Sequence, residues 1–248
     1  MKSLVLYNYT MSVCSMKTRL AMNEFDLPFE DKQVDIGFAL ENFEPDYVRL
    51  NPKAVVPTLV AGDDVVTNSA EIVLYLARAS GKGLPLDEAE HGAALDWYWK
   101  GDGVNFQVIT YGRKGVPRGD ELLVARRERA ALYADRYPDL RDIYQQAHDR
   151  IVQHGESAVD AEGVQKAEKA LNDTLDALDQ QLASNAFIIG AGYTVADVMW
   201  TVLLARIEML GLADWIKSRP HLLAYYERVK QRPSFTNARV MPNWKGGI

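Results

Sequence analysis

The order of apolar and polar positions divides the chain into two unlike parts. Leu4-Val5-Leu6-Tyr7 is a short apolar run of strand type, and from Val13 onward Val13, Met16 and Leu20 recur at three- and four-residue spacing. The chain therefore turns from strand to helix near Ser12. Asp26-Leu27-Pro28 ends that helix, and residues 29–36 can form a second strand before a polar, acidic loop, which completes a β-α-β unit. The stretch from Asn51 to Val60 leads into a hairpin with Gly62-Asp63-Asp64 as its turn and Val65-Val66-Thr67 as its return strand. Asn68-Ser69 then precedes a helical run over 70–79. Beyond Gly81-Lys82-Gly83-Leu84-Pro85 the strand pattern stops, and helical periodicity predicts segments near 88–111, 120–136, 139–154, 162–183, 194–210 and 220–231. The expected architecture is an α/β unit at residues 1–80 and an all-helical unit at 88–248. Thr194 and Asp197 have capping-box spacing ahead of the apolar run 198–204, which marks a folding element and contributes no chemistry.

Composition narrows the classes of function. The chain has 248 residues, of which 48% are hydrophobic and 25% charged, enough for a substantial core in a water-exposed protein. A net charge of −6 argues against a nucleic-acid surface or a polybasic membrane anchor, and no apolar run is long enough to span a bilayer. No signal peptide is visible at the start. One cysteine, Cys14, can make neither an internal disulfide nor a cysteine-based metal site, so a reducing cytoplasm and no metal are the expectation.

That cysteine lies where the strand becomes a helix, two residues after Ser12. A helix N-terminus offers unpaired N–H groups and the positive end of the helix dipole, so an anion such as a thiolate is favoured there. Ser12-Val13-Cys14-Ser15, the Val56-Pro57 pair before the hairpin and Ser69 at the opening of the next helix together resemble the glutathione transferases, with a thioredoxin-like first domain and an all-α second one. The resemblance covers the whole chain. It implies that Val56, before a cis Pro57, pairs its backbone with the cysteinyl part of glutathione, and that Ser69 receives the γ-glutamyl carboxylate. The family commonly has glutamate or glutamine before this serine; here it is Asn68, so recognition of the glutathione amino group rests partly on other residues.

Ser12-Val13-Cys14-Ser15 is similar to the Ser-x-Cys-Ser signature of the zeta class, whose members include cis–trans isomerases of the maleylacetoacetate type. The stretches 7–11, 31–41 and 115–121 and the tail 241–248 are instead similar to the reductive dehalogenases of chlorinated hydroquinones in the same superfamily. The implied function is glutathione-dependent reductive dehalogenation of chlorinated hydroquinones by a homodimer, with glutathione as reducing co-substrate. Ser12 would hold the glutathione thiolate, and Cys14 would form a mixed disulfide with it. Two other readings are an isomerase that needs no redox thiol and a non-catalytic glutathione-transferase-like binding protein.

Each residue also has a plain structural reading. A lone cysteine is often a small buried hydrophobe, and Ser12, Ser15 and Ser69 can all be helix caps. His91, His148, His154 and His221 fall on predicted helices or their ends and are left out of the site. Arg126, Arg127 and Arg129 read as a solvated helix face, and Trp97, Tyr98, Trp99 and Phe106 read mostly as packing. The basic, glycine-rich loop from Gly112 to Gly119 reads equally as a connector and as a place for a hydroquinonate anion.

Overall fold

A computed structural model of the chain describes residues 3–111, 119–158 and 161–241. Strand β1 (Leu4–Asn8) alternates strictly: Leu4, Leu6 and Asn8 are buried while Val5 and Tyr7 are half-buried. That period of two sends successive side chains to opposite faces, so Leu6 meets the main core and Tyr7 packs on the other face beside Tyr47, Val34 and Val56. Helix α1 (Val13–Glu24) follows, then β2 (Glu30–Gln33), α2 (Pro45–Leu50), β3 (Thr58–Ala61), β4 (Asp64–Val66) and α3 (Ser69–Ser80). The sheet order is β2-β1-β3-β4, with β1 parallel to β2 and antiparallel to β3, and β3 antiparallel to β4. The second strand is thus shorter than its sequence pattern at both ends. In the hairpin only Gly62 and Asp63 turn, because Asp64 already pairs with Ala61; Gly62 takes φ +63°, a conformation cheap only for glycine.

The rest of the described chain is helical: α4 (Glu88–Asp102), α5 (Phe106–Tyr111), α6 (Gly119–Arg136), α7 (Arg141–Ala158), α8 (Ala161–Leu182), α9 (Val195–Met209), α10 (Ala213–Lys217), α11 (Pro220–Lys230) and α12 (Pro233–Asn237). Residues 88–111 form two helices where the pattern predicted one, with the break at Gly103-Val104-Asn105. The short helices α2, α10 and α12 carry too few residues for a period to emerge, although each of α2 and α12 starts with a proline.

Helix α9 is buried on every side, with Val195, Val198, Met199, Trp200 and Val202 at 0% exposure. Such a helix must be enclosed by neighbours, and α9 packs against α1 and α3 from the first half and α4 from the second. One hydrophobic core consequently runs through both halves, from Leu6 and Leu59 in the sheet to Tyr225 and Val240 near the end. A second cluster joins Leu40, Phe43 and Val48 to Ala130, Tyr133 and Tyr144 of the α6–α7 pair. No described helix is long and apolar enough to cross a membrane.

Candidate functional site at the α1 N-terminus

Ser12 caps α1. Its backbone is extended (φ −75°, ψ 122°), and its Oγ accepts the Ser15 N–H at 3.3 Å while its carbonyl accepts the Met16 N–H at 2.8 Å. An accepting hydroxyl keeps its own hydrogen, so Ser12 can donate to an anion in front of the helix. Ser15, the other candidate cap, is fully buried and turns away: its Oγ accepts the Tyr9 N–H at 3.2 Å. Among the described residues the N–H groups of Val13 and Cys14 take no partner within the chain. Cys14 itself, at the second helical position, is exposed. The first turn of α1 therefore carries a capping hydroxyl, an exposed thiol and two amide donors without partners among the described residues.

The turn leading into it is tied at the carbonyls of Tyr9 and Thr10 and at the N–H of Ser12. Tyr9 accepts the Ser12 N–H at 3.1 Å, and the guanidinium of Arg19 donates to the carbonyls of Tyr9 (3.2 Å) and Thr10 (2.8 Å), to Asn8 Oδ1 (2.6 Å) and to the Ala238 carbonyl (2.8 Å). Arg19 is 1% exposed. Its pKa is lowered to about 10, chiefly by burial and next by the nearby charge of Arg239, with Asp31 opposing; it stays a cation at neutral pH. Asn8 in turn donates to Asp31, which pairs with Arg239.

One turn past Cys14, buried Lys17 pairs with Asp102 of α4 at 3.1 Å. Tyr98 of α4 donates to the Ala70 carbonyl in the first turn of α3 at 2.9 Å; burial foremost, then the charges at Asp102, Glu71 and Cys14, raises its hydroxyl pKa and keeps it a donor. These two bonds hold α4 beside both helix N-termini.

Val56-Pro57 is a cis peptide bond. The register brings the remaining candidates to the edge of the sheet where α1 begins: Thr58 pairs with Tyr7, so Pro57 enters beside the exit of β1, and Val66 pairs with Leu59, so β4 leaves toward α3 at that same edge. Asn68 is the cap of α3, and its Oδ1 accepts the N–H groups of Ala70 (2.8 Å) and Glu71 (3.2 Å). Among the described residues the Ser69 N–H and hydroxyl have no partner, and Ser69 is half-buried. An anion at this helix end would meet Ser69, because Asn68 already occupies the next two donors.

Two sequence expectations change. Arg126 and Arg129 are not a solvated face: they are half-buried and donate to the carbonyls of Ile36 (2.8 Å) and Ala39 (3.2 Å), because α6 lies over a loop whose carbonyls need donors. Trp99 is 44% exposed, whereas Trp97, Tyr98 and Phe106 are buried as expected. The connector 112–118 and the tail 242–248 lie outside the described residues. Arg19, Asn8 and Lys17 were not singled out from sequence, although charged side chains on the buried stripe of α1 beside Met16 and Leu20 were the signal. Among the described residues no group of three or more His, Cys, Asp or Glu side chains could hold a metal ion.

The glutathione S-transferase N-terminal domain family matches residues 11–79, and the corresponding C-terminal domain family matches residues 145–228. The tetrachloro-p-hydroquinone reductive dehalogenase of Sphingobium chlorophenolicum is 68% identical to this chain over the full length of both. The chain belongs to the glutathione S-transferase superfamily. A second relative, the 2,5-dichlorohydroquinone reductive dechlorinase of Sphingobium indicum, is 27% identical over 97% of this chain and 83% of its own. Among solved structures, the theta class glutathione S-transferase of Xanthomonas axonopodis pv. citri with glutathione bound superimposes with a TM-score of 0.67 at 21% identity, covering 97% of this chain and 98% of the other. In this superfamily chain, the open N-termini of α1 and α3 and the cis proline between them form the candidate site.

Proposed function

We propose that this protein is a glutathione-dependent reductive dehalogenase of chlorinated hydroquinones such as tetrachlorohydroquinone, working through a Cys14–glutathione mixed disulfide. The observation that carries the reading is full-length similarity to a dehalogenase of that substrate class, in a chain whose single thiol is exposed two residues after the capping serine of a helix N-terminus. Glutathione supplies the electrons, two molecules ending as one disulfide. Val56 and Ser69 bind it, Asn68 orders the α3 turn under its γ-glutamyl end, and Ser12 donates to its sulfur, which keeps the thiolate ionised and aimed.

The chemistry then divides between Ser12 and Cys14. Beside Ser12 the thiolate bonds to a ring carbon of a hydroquinone tautomer and chloride leaves. Cys14 attacks that sulfur next: a sulfur–sulfur bond forms, the carbon–sulfur bond breaks, and the electron pair left on the ring carbon takes up a proton. A second glutathione thiolate frees Cys14 by exchange and leaves as glutathione disulfide. Two thiols oxidised to one disulfide balance the replacement of one chlorine by hydrogen.

The finer assignments are part of the same proposal. Zeta-class character rests on the Ser12–Ser15 signature, division into units at 1–80 and 88–248 agrees with the two matched domain families, and a homodimer in a reducing cytoplasm suits a chain with one catalytic thiol. Incubating the protein with glutathione and tetrachlorohydroquinone and weighing the products tests it. A trichlorohydroquinone with one glutathione disulfide per chlorine removed is expected. No dechlorinated product, with isomerisation of a cis-enedione instead, would replace it by the isomerase reading.

A further inference from the structure

The bonding around Arg19 is unusual for a helix that packs on a sheet. A buried guanidinium without partners is strongly destabilising, and a well-packed apolar side chain of similar volume generally serves a core at least as well. Here the fork instead meets four acceptors, and three of them, Asn8 Oδ1 and the carbonyls of Tyr9 and Thr10, belong to the end of β1 and the turn before Ser12. That turn has no strand or helix partner for its inward carbonyls. The fourth acceptor, Ala238, lies over two hundred residues along the chain, next to Arg239, whose side chain pairs with Asp31; Asp31 accepts from Asn8, which closes the circuit. The Tyr9 carbonyl is shared between Arg19 and the N–H of Ser12, so the guanidinium is one bond removed from the capping serine. Thr10 is also held from outside, its hydroxyl donating to Gln33 at 2.9 Å.

We infer that Arg19 is the positioning residue of this active centre: it fixes the turn that aims Ser12 and Cys14, and it couples that turn to the C-terminal segment through Ala238 and the Asn8–Asp31–Arg239 chain. The inference rests on the dehalogenase reading for its consequence, and on the network alone for its geometry. A lysine in place of Arg19 keeps the charge and can reach one acceptor, but an ammonium cannot satisfy a fork of four. Misplacement of a reacting group by an ångström is enough to slow a reaction by orders of magnitude. Glutathione affinity depends on Val56 and Ser69, which lie on other segments, so the effect falls on turnover.

The test uses the full chain, Arg19→Lys and Arg239→Met. The first readout is the rate at which Cys14 forms a mixed disulfide with glutathione disulfide, followed by mass: Cys14 attacks one sulfur and a glutathione thiolate leaves. The second is kcat and KM for dechlorination. Arg19→Lys is expected to slow both exchange and kcat about tenfold or more with KM for glutathione within about twofold, and Arg239→Met to change them in the same direction by a smaller factor. A folded Arg19→Lys with wild-type exchange overturns the inference. Should Arg19→Lys fail to fold, Arg239→Met decides, and unchanged exchange there overturns it equally. If exchange slows as expected but the wild type does not dechlorinate, the positioning role stands and the dehalogenase reading falls.

Discussion

At α1 the cap and the first three helical positions are Ser12, Val13, Cys14 and Ser15; at α9 they are Thr194, Val195, Ala196 and Asp197. Both helices begin with a hydroxyl cap and a β-branched residue, yet they end in opposite conditions. Asp197 reaches back to Thr194, accepting its N–H at 2.8 Å and its hydroxyl at 2.9 Å, and also takes the N–H of Ile188 and the hydroxyl of Tyr225, both at 3.0 Å. The N–H of Val195 is also taken, by the Gly83 carbonyl at 2.8 Å, and Asp197 is fully buried. Ser15 stands in the equivalent third position of α1, but its hydroxyl accepts from Tyr9 and the cap N–H goes to the Tyr9 carbonyl, while the N–H groups of Val13 and Cys14 have no partner among the described residues. A closed N-terminus stabilises the fold; an open one is available to a ligand. The N–H of the first helical residue separates the two: Val195 donates to the Gly83 carbonyl at 2.8 Å, whereas that of Val13 has no partner among the described residues.

Replacing Cys14 should break the comparison most completely. In Cys14→Ser the open terminus keeps its cap and its amide donors but loses the atom that can form a disulfide. Dechlorinated product should disappear, an S-glutathionyl hydroquinone should accumulate, and no glutathione should be found on the protein by mass. Undiminished dechlorination would move the second thiol off the protein and onto a glutathione from solution.

The matching change at the closed terminus should act on stability alone. Asp197→Ala leaves the N–H groups of Thr194 and Ile188 and the Tyr225 hydroxyl without their acceptor inside the core, which costs on the order of 3 kcal/mol or more. Urea denaturation measures that loss, while Cys14 exchange in the molecules still folded should be unchanged. A variant that keeps its stability but loses exchange would mean that the two helix ends are coupled through the core they share.

Ser12→Ala is smaller and falls on both quantities. Loss of one hydrogen bond to a thiolate should slow the first step by roughly 1.5 to 3 kcal/mol, about 10- to 150-fold, and loss of the cap should cost about 1 kcal/mol of stability. Glutathione binding by calorimetry should change much less than the rate. An unaltered rate would pass the task to the amides of Val13 and Cys14.

These contrasts also show which parts of the protein were readable in advance. The strand–helix order and the cap at Thr194 follow from local rules, because period, breakers and capping depend on residues a few positions apart, whereas the Val56-Pro57 pair and the chemistry near Ser12 were implied by the family resemblance. The Arg19 circuit does not, since its members are Asn8, Arg19, Asp31 and Arg239 and only the fold brings them together. The role of Arg126 and Arg129 was misread for the same reason: nothing local says that α6 lies against the loop at Ile36. Asn68 was legible as a departure from the family pattern, but that its side-chain oxygen accepts from Ala70 and Glu71, while the Ser69 N–H has no partner among the described residues, emerges only from the geometry.

The smallest expected effect tests how completely α9 is closed. Burial raises the Asp197 carboxyl from 3.8 to about 6, against the pull of its four hydrogen bonds from Ile188, Thr194 and Tyr225. A folded-state pKa above the unfolded one means that the native state binds the proton more tightly. The contribution of this group is therefore fully present below about pH 4 and is lost as pH rises through 6. Asp31 and Asp35 run the other way: hydrogen bonds outweigh burial and lower both, so their contribution fades as pH falls. Both remain in Asp197→Asn, so subtracting the variant's stability from that of the wild type cancels them. Between pH 7 and pH 5 the wild type should gain on the order of 1 kcal/mol relative to the variant, measured by urea denaturation at the two pH values. No relative gain would mean that the four donors hold Asp197 ionised throughout this range, and that the closed terminus is secured by its hydrogen bonds more strongly than burial opposes them.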